Sequence, residues 1–504
     1  MKKNSSVFMY SVGILAILVI IGIVTPKTLE SVTANVQSFI STAFGWYYLI
    51  IVTLFLITCL YLLISPVGRI KLGKQDDKPE FTRPTWIAML FSAGMGIGLV
   101  FYGAAEPISH YAISSPMGVT GTPQAVKDSL RFTFFHWGLH AWAIYGIVAL
   151  ILAYFSFRKN QPVTISGTLK PIFGDRVQGK LGKTIDILAI LSTVFGVATT
   201  LGFGAAQING GLTYLYKIPS NYWVQLIIIV VFTFLFIGSA LTGLGKGIKI
   251  LSNANMILAF LLLILMFTIG PTMFILNIFT DTIGGYLQYL PNMSFRIAPL
   301  NAENRLWINA WTIFYWAWWI AWSPFVGIFI ARISKGRTIR EFVFNVLLIP
   351  SIVGFFWFST FGGTAISLEA KGIANISGLA LEEQLFGVFA NYPLGTVMSF
   401  VAMILVMSFF ITSADSGTYV LAMMSLNGTA NPPNRIKMIW GVLLSIIAIV
   451  LLYSGGLLAL QNTMIIAALP FSVIMILMTI SLLKSLSQEA KELHKTLYTK
   501  PKRT

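Results

Sequence analysis

The chain has 504 residues, 56% of them hydrophobic and 10% charged, with a mean hydropathy of +0.80. Soluble domains carry about 25% charged residues, so a water-soluble enzyme is excluded, and the formal charge of +17 is not read as a sign of nucleic acid, because in a membrane chain the placement of charge matters more than its sum. The apolar residues run in long stretches instead of alternating as in an outer-membrane barrel, and the one cysteine, Cys59, supports neither a disulfide framework nor a thiolate metal cluster.

The composition reads as an all-α polytopic membrane protein. About twenty apolar residues cross a bilayer, and twelve transmembrane helices are predicted, over residues 8–24, 45–66, 86–105, 132–155, 184–211, 222–241, 251–279, 306–331, 342–366, 394–425, 438–458 and 463–483. The first follows Lys2 and Lys3 as a signal peptide would, but no small-residue cleavage site comes after it, so it reads as a retained helix. Twelve spans put both termini on one side, whose loops hold 27 Lys and Arg against 7 on the other. The positive-inside rule then makes the terminus side cytoplasmic. Between the seventh and eighth spans, Thr282 to Leu290 reads as a short amphipathic helix in the outer interface. The last residues, from Lys484, are polar and basic: either a solvated tail or one held to anionic lipid headgroups.

Four spans depart from plain aliphatic sequence. In the third, Gly94, Gly96 and Gly98 cost about 1 kcal/mol each in helix propensity relative to alanine. They serve either close helix packing or a broken helix whose freed backbone binds an ion and a carboxylate. The fourth holds His136 and His140 four apart, with no third metal ligand in view, and Trp137, Trp142 and Tyr145 within about 140° of a helical wheel. In the eighth, Tyr315, Trp318, Trp319 and Trp322 fall within an arc of about 100°. This cluster runs into the middle of the span, unlike an interfacial belt, and meets Ser323-Pro324, a candidate point of unwinding. The tenth carries Thr412, Ser413 and Asp415, hydroxyls that with freed carbonyls suit a small hard cation. Aromatic faces hold a quaternary ammonium, which has no N–H to donate, at about 0.5–2 kcal/mol per desolvated face. Intramembrane acids are few, Asp415 and Asp186 standing out, and Asp415 reads as a helix-end or gating residue.

Together the stretches Gly94 to Pro107, His136 to Trp142, Phe314 to Phe325, Ala331 to Thr338 and Thr412 to Gly417 resemble the betaine/choline/carnitine transporter (BCCT) family over nearly the whole chain. The sequence is most similar to the sodium-coupled glycine betaine branch in bacteria. The resemblance implies two inverted five-helix repeats, spans 3–7 and 8–12, behind two extra helices. The units would be 1–84 with the extra helices, 85–279 as the first repeat, 280–304 as an outer loop, 305–483 as the second repeat and 484–504 as the tail. It implies a homotrimer in the bacterial plasma membrane taking up glycine betaine with sodium, by alternating access, for osmoprotection. Sodium would be the coupling ion, with no other cofactor. Trp137, Trp142, Tyr145, Trp319 and Trp322 would cage the ammonium, with Trp318 nearby, and backbone around Ala93, Met95 and Gly96 would face the carboxylate. One sodium would lie between the carbonyls of Ser92, Met95 and Phe409 and the hydroxyls of Thr412 and Ser413. A second would use Thr193 and Phe325, but the family's other threonine aligns with Val197, which offers no side-chain oxygen; Thr199 and Thr200 are the replacements at hand. Gly98 stands where choline-selective relatives tend to carry aspartate, which favours a zwitterion. The alternative is another quaternary amine, choline or carnitine, proton-coupled or exchanged; carnitine exchangers replace the sodium-binding side chains that Thr412 and Ser413 retain. A channel filter and a nucleophile–base pair are both missing from the sequence, and no enzymatic activity is expected.

Overall fold

The computed structural model describes residues 5–94, 96–242 and 245–499, with backbone alone at 91–94, 242, 245–249 and 493–499. Every long element is a helix. In chain order they are α1 (Ser6–Val24), α2 (Pro26–Ile64), α3 (Arg83–Gly94), α4 (Ile97–Ile108), α5 (Pro123–Trp137), α6 (Leu139–Ala153), the short α7 (Lys170–Phe173) and α8 (Lys180–Tyr216). There follow α9 (Tyr222–Thr242), α10 (Gly245–Ile269), α11 (Thr272–Ser294), α12 (Ala302–Ile308), α13 (Phe314–Ile333), α14 (Ile339–Ala370), α15 (Gln384–Phe389), α16 (Gly395–Ser425) and α17 (Asn434–Thr499).

Ten helical stretches among the described residues are long and apolar enough to cross a bilayer. Two features separate this from the twelve predicted spans. The third span arrives as α3 and α4, twelve residues each. The last two are fused in α17, which leaves helical angles at Gly455 and Gly456, the latter at φ 65°, where glycine alone is at ease.

Burial sorts the stretches into a centre and a shell. The most apolar part of Pro123–Arg158 is 94% buried and that of Ala302–Ile333 is 89% buried, against 28% for Ser6–Val24, Tyr222–Leu241 and Ile250–Ile269. The aromatic fourth and eighth spans therefore form the centre, and the aliphatic helices turn their side chains outward, as lipid-facing helices do.

Several boundaries differ from the sequence reading. The second span is the latter half of a 39-residue helix that starts at Pro26, a proline at the first helical position where its missing N–H costs nothing. The fourth is interrupted at Gly138 (φ −97°, ψ −140°), where a Cβ would stand 2.5 Å from the Phe134 carbonyl oxygen and 2.7 Å from the Phe355 ring. A single helical wheel therefore does not relate Trp137 to Trp142. The seventh ends at Ile269, before Gly270-Pro271, and the outer helix is the longer α11, not 282–290. Residue 279 consequently lies within α11. The eighth runs unbroken through Pro324, so the unwinding expected there is absent; the irregularity is a π-helical turn at Asn309–Ile313. The tail is not simply a solvated strand of charge. It continues α17 as helix to Thr499, and buried Glu489 receives Arg158, Lys159 and Tyr154.

Candidate functional site

A cavity of about 490 Å³ is framed by α4, α5, α6, α8, α9, α10, α13, α16 and the start of α17, a size suited to a small ligand. Along α13 its lining runs from Trp318 to Arg332, about 21 Å of helix, and changes from aromatic to charged on the way. At the aromatic part stand Trp137, Tyr145, Trp318, Trp319 and Trp322, with Gly96 and Gly98 from the break between α3 and α4. At the charged part stand Arg332 in the last turn of α13, Asp415 within α16 and Lys437 near the start of α17.

Trp319 is the hub of the aromatic wall. Its ring centroid lies 5.5 Å from Trp137, 5.9 Å from Trp142 and 4.7 Å from Tyr145. Its indole N–H donates to the His136 carbonyl at 3.1 Å, a carbonyl exposed to side chains because the helix stops at Gly138 two residues later. The break thus orients α13 against α5. Trp142 is not a lining residue; it stands behind, edge-on to Tyr145 at 5.7 Å. Trp322 packs on Phe325 at 5.2 Å, and both reach the cavity. Gly98 is required by Trp318, since a Cβ would lie 2.6 Å from its ring.

The candidate cation ligands divide. Phe409, Thr412 and Ser413 line the cavity on one continuous helix, α16, so their carbonyls are not freed by any break there. The Thr412 hydroxyl lies 3.0 Å from the Ser408 carbonyl oxygen and 3.3 Å from that of Phe409. Facing it across the cavity, Asn255 extends its amide nitrogen to 3.5 Å from Thr412 Oγ1, while buried Asn255 Oδ1 has no hydrogen-bond partner. Met95 lies outside the described residues, as do the side chains of Ser92 and Ala93. Phe325 and Thr200 reach the cavity, but Thr193 does not: it is fully buried, with its hydroxyl on the Ala189 carbonyl at 2.8 Å. Val197 packs towards Gly417, and Thr199 is engaged by the carbonyls of Phe195 and Leu460.

Asp415 sits in the interior of α16, not at its end, and accepts from the Ser239 hydroxyl at 2.6 Å. Asp186 has a structural task, accepting from the backbone N–H and hydroxyl of Ser166 at 2.9 and 2.7 Å. The acid that sequence reasoning passed over is Glu106, fully buried behind the aromatic wall. The predicted third span stopped at residue 105, whereas α4 carries Pro107 within it and ends at Ile108. Glu106, His110 and His136 bring possible metal-ligand atoms within 4.8 Å of one another. Two ligands on one zinc stand about 3.3 Å apart, while His136 Nδ1 and Glu106 Oε1 are 2.6 Å apart, the spacing of a hydrogen bond. His140, four residues after His136, places its Nε2 3.0 Å from the Ser294 hydroxyl.

Comparison with known proteins agrees with this picture. Residues 6–491 match the BCCT, betaine/carnitine/choline family transporter. The glycine betaine transporter OpuD of Bacillus subtilis is 59% identical over 98% of this chain and 97% of its own length. The ectoine/hydroxyectoine transporter of Virgibacillus pantothenticus is 41% identical over 97% of this chain and 98% of its own. The glycine betaine transporter of Acinetobacter baylyi is 41% identical over 96% of this chain and 73% of its own. A solved sodium-coupled sialic acid symporter aligns over 87% of this chain and 82% of its own at TM-score 0.41 and 14% identity. These relatives are transporters rather than enzymes, and the chain belongs to the betaine/carnitine/choline family of multi-pass membrane transporters.

Proposed function

We propose that the protein takes up glycine betaine across a bacterial plasma membrane by sodium symport and alternating access, and that it serves osmoprotection. The observation that carries this is the aromatic cavity wall of Trp137, Tyr145, Trp318, Trp319 and Trp322. Among the described residues the carboxylate that lines the cavity is Asp415, at its charged part and bonded to Ser239, and Glu106 behind the wall is engaged by its own donors. Such a wall holds a trimethylammonium through its ring faces and leaves the substrate carboxylate for the backbone around Gly96. The names of the relatives from B. subtilis and A. baylyi support the same substrate.

Sodium, in this reading, is held by the carbonyls of Ser92 and Met95, by the second lone pair of the Phe409 carbonyl, which stays within unbroken α16, and by the hydroxyls of Thr412 and Ser413. Asn255 approaches Thr412 Oγ1 with its Nδ2 while its buried Oδ1 has no partner, and it joins that oxygen set with its amide turned over. The reading includes twelve crossings, two inverted repeats behind two extra helices, cytoplasmic termini, a homotrimer and a tail within reach of anionic lipid. The charged part of the cavity at Arg332 and Lys437 would then face the cytoplasm.

The test is uptake of labelled glycine betaine into proteoliposomes, with an inward sodium gradient or with potassium, and with excess choline or ectoine as competitors. Sodium-driven uptake that choline barely inhibits supports the proposal; uptake indifferent to sodium removes the coupling. The ectoine transporter among the relatives favours one second reading, a cyclic zwitterion whose amidinium carries N–H groups. Stronger competition by ectoine than by unlabelled betaine would select it.

A further inference from the structure

Glu106 uses both of its oxygens. Oε2 accepts the indole N–H of Trp137 at 2.7 Å and the phenol of Tyr315 at 2.5 Å; Oε1 lies 2.6 Å from His136 Nδ1 and 3.3 Å from His110 Nε2. Four contacts match the four lone-pair sites of an ionised carboxylate. The donors come from three segments: His110 from the π-helical turn Ser109–Ile113 that follows α4, His136 and Trp137 from α5, and Tyr315 from α13. Glu106, His110, His136 and Tyr315 are each fully buried, so none of these bonds competes with bulk water. His136 is fixed in turn by Thr312 Oγ1 at 2.9 Å from its Nε2.

Neither oxygen points at the cavity, yet each side chain held on Oε2 adjoins it. Trp137 is itself a lining residue, and Tyr315 stacks on the lining Trp318 with centroids 6.1 Å apart. Trp137 and Tyr315 also meet edge to face at 5.5 Å. An indole without its N–H bond is free to turn about its two side-chain torsions, and the face it offers a cation turns with it. We infer that Glu106 is a positioning residue for substrate binding: its carboxylate clamps Trp137 and Tyr315 together and thereby fixes the aromatic wall that the ligand meets. The inference rests on the cavity being the betaine site.

The chemistry makes the isosteric change severe. In Glu106→Gln one acceptor oxygen becomes an NH₂ donor; turned to Trp137 and Tyr315 it faces two donors, and turned to the histidines it requires both to offer an unprotonated ring nitrogen. A bond to a buried charge is also about twice as strong as a neutral one. Glu106→Asp keeps both acceptors on a shorter stem.

The experiment measures glycine betaine uptake in proteoliposomes and substrate-induced tryptophan fluorescence change in detergent, for wild type, Glu106→Gln, Glu106→Asp and Tyr315→Phe. The expected result for Glu106→Gln is a KM and a fluorescence midpoint raised together by about tenfold or more, with kcat changed far less, the pattern of lost ground-state and transition-state binding alike. Glu106→Asp recovers part of the affinity, and Tyr315→Phe, which keeps the ring and loses one bond, shows a smaller shift of the same kind. If Glu106→Gln does not fold, Tyr315→Phe decides alone. A folded Glu106→Gln with wild-type KM, a loss of kcat at unchanged KM, or a wild-type KM in Tyr315→Phe where Glu106→Gln is unfolded overturns the inference. Wild-type protein that gives no betaine response would instead overturn the substrate reading on which it rests.

Discussion

The indole N–H of Trp319 ends on the backbone carbonyl of His136, 3.1 Å away, and that bond depends on a glycine. Gly138 interrupts α5 before the His136 carbonyl could be taken by its own helix, and its crowded site tolerates no Cβ. A backbone defect in one helix thus sets the side chain at the centre of the aromatic wall on another. Membrane helices accept such defects where protein covers them, and here the Phe355 ring lies against Gly138 while Trp319 takes up the His136 carbonyl.

Gly98 has the same kind of dependence. An alanine there places a methyl 2.6 Å from the Trp318 ring, so the indole must shift. Overpacking of this sort costs about 1–3 kcal/mol. Gly98→Ala is expected to raise KM for glycine betaine by about tenfold while the thermal unfolding profile of purified protein stays near wild type. An unchanged KM would mean that Trp318 moves without consequence for the substrate.

The coupling ion gives an asymmetric pair of variants. Thr412 lines the cavity, whereas Thr193 is buried away from it with its hydroxyl on its own helix. Thr412→Ala should raise the half-saturating sodium concentration for uptake by about tenfold, the value of one lost ligand near 1.4 kcal/mol. Thr193→Val should leave the sodium curve unchanged. Equal shifts in both would return Thr193 to the set of ion ligands.

At the far end of α17, Glu489 collects Arg158 and Lys159 at 2.6 and 2.9 Å and the Tyr154 hydroxyl at 2.8 Å. Glu489→Gln weakens this tether. Trypsin should then cut at exposed Lys491 faster by about five- to thirtyfold, the factor that one to two kcal/mol of local opening supplies. Mass spectrometry of timed digests reads the outcome, and wild-type cleavage kinetics would show that the tail is held elsewhere.

Much of this was legible in the residues because it depends on period and composition. The aromatic arc of Trp318, Trp319 and Trp322 survives intact, since α13 is a continuous helix through Pro324. The break near Gly96 was one of two readings the glycines allowed, and α3 and α4 are parted there. Other features turn on tertiary contact. Gly138 looks like any small residue in HWGLHAW until Phe134 and Phe355 are seen against it. Trp142 shares the motif with Trp137, yet it stands against Tyr145 and Trp319 and is not among the lining residues. Glu106 was hidden by a boundary drawn one residue short, because a lone acid beside a proline reads as the end of a span when its four partners are scattered from residue 110 to 315.

The central claim is that glycine betaine is held by the aromatic wall around Trp319, and equilibrium binding to purified protein tests it most directly. Isothermal titration with glycine betaine in sodium buffer should give saturable binding for wild type. In a monodisperse, folded Trp319→Leu variant the account predicts affinity weakened by about thirtyfold or more, the loss of one or two ring faces, with Trp142→Phe, one layer back, weakened much less. Wild-type affinity in Trp319→Leu would contradict the account.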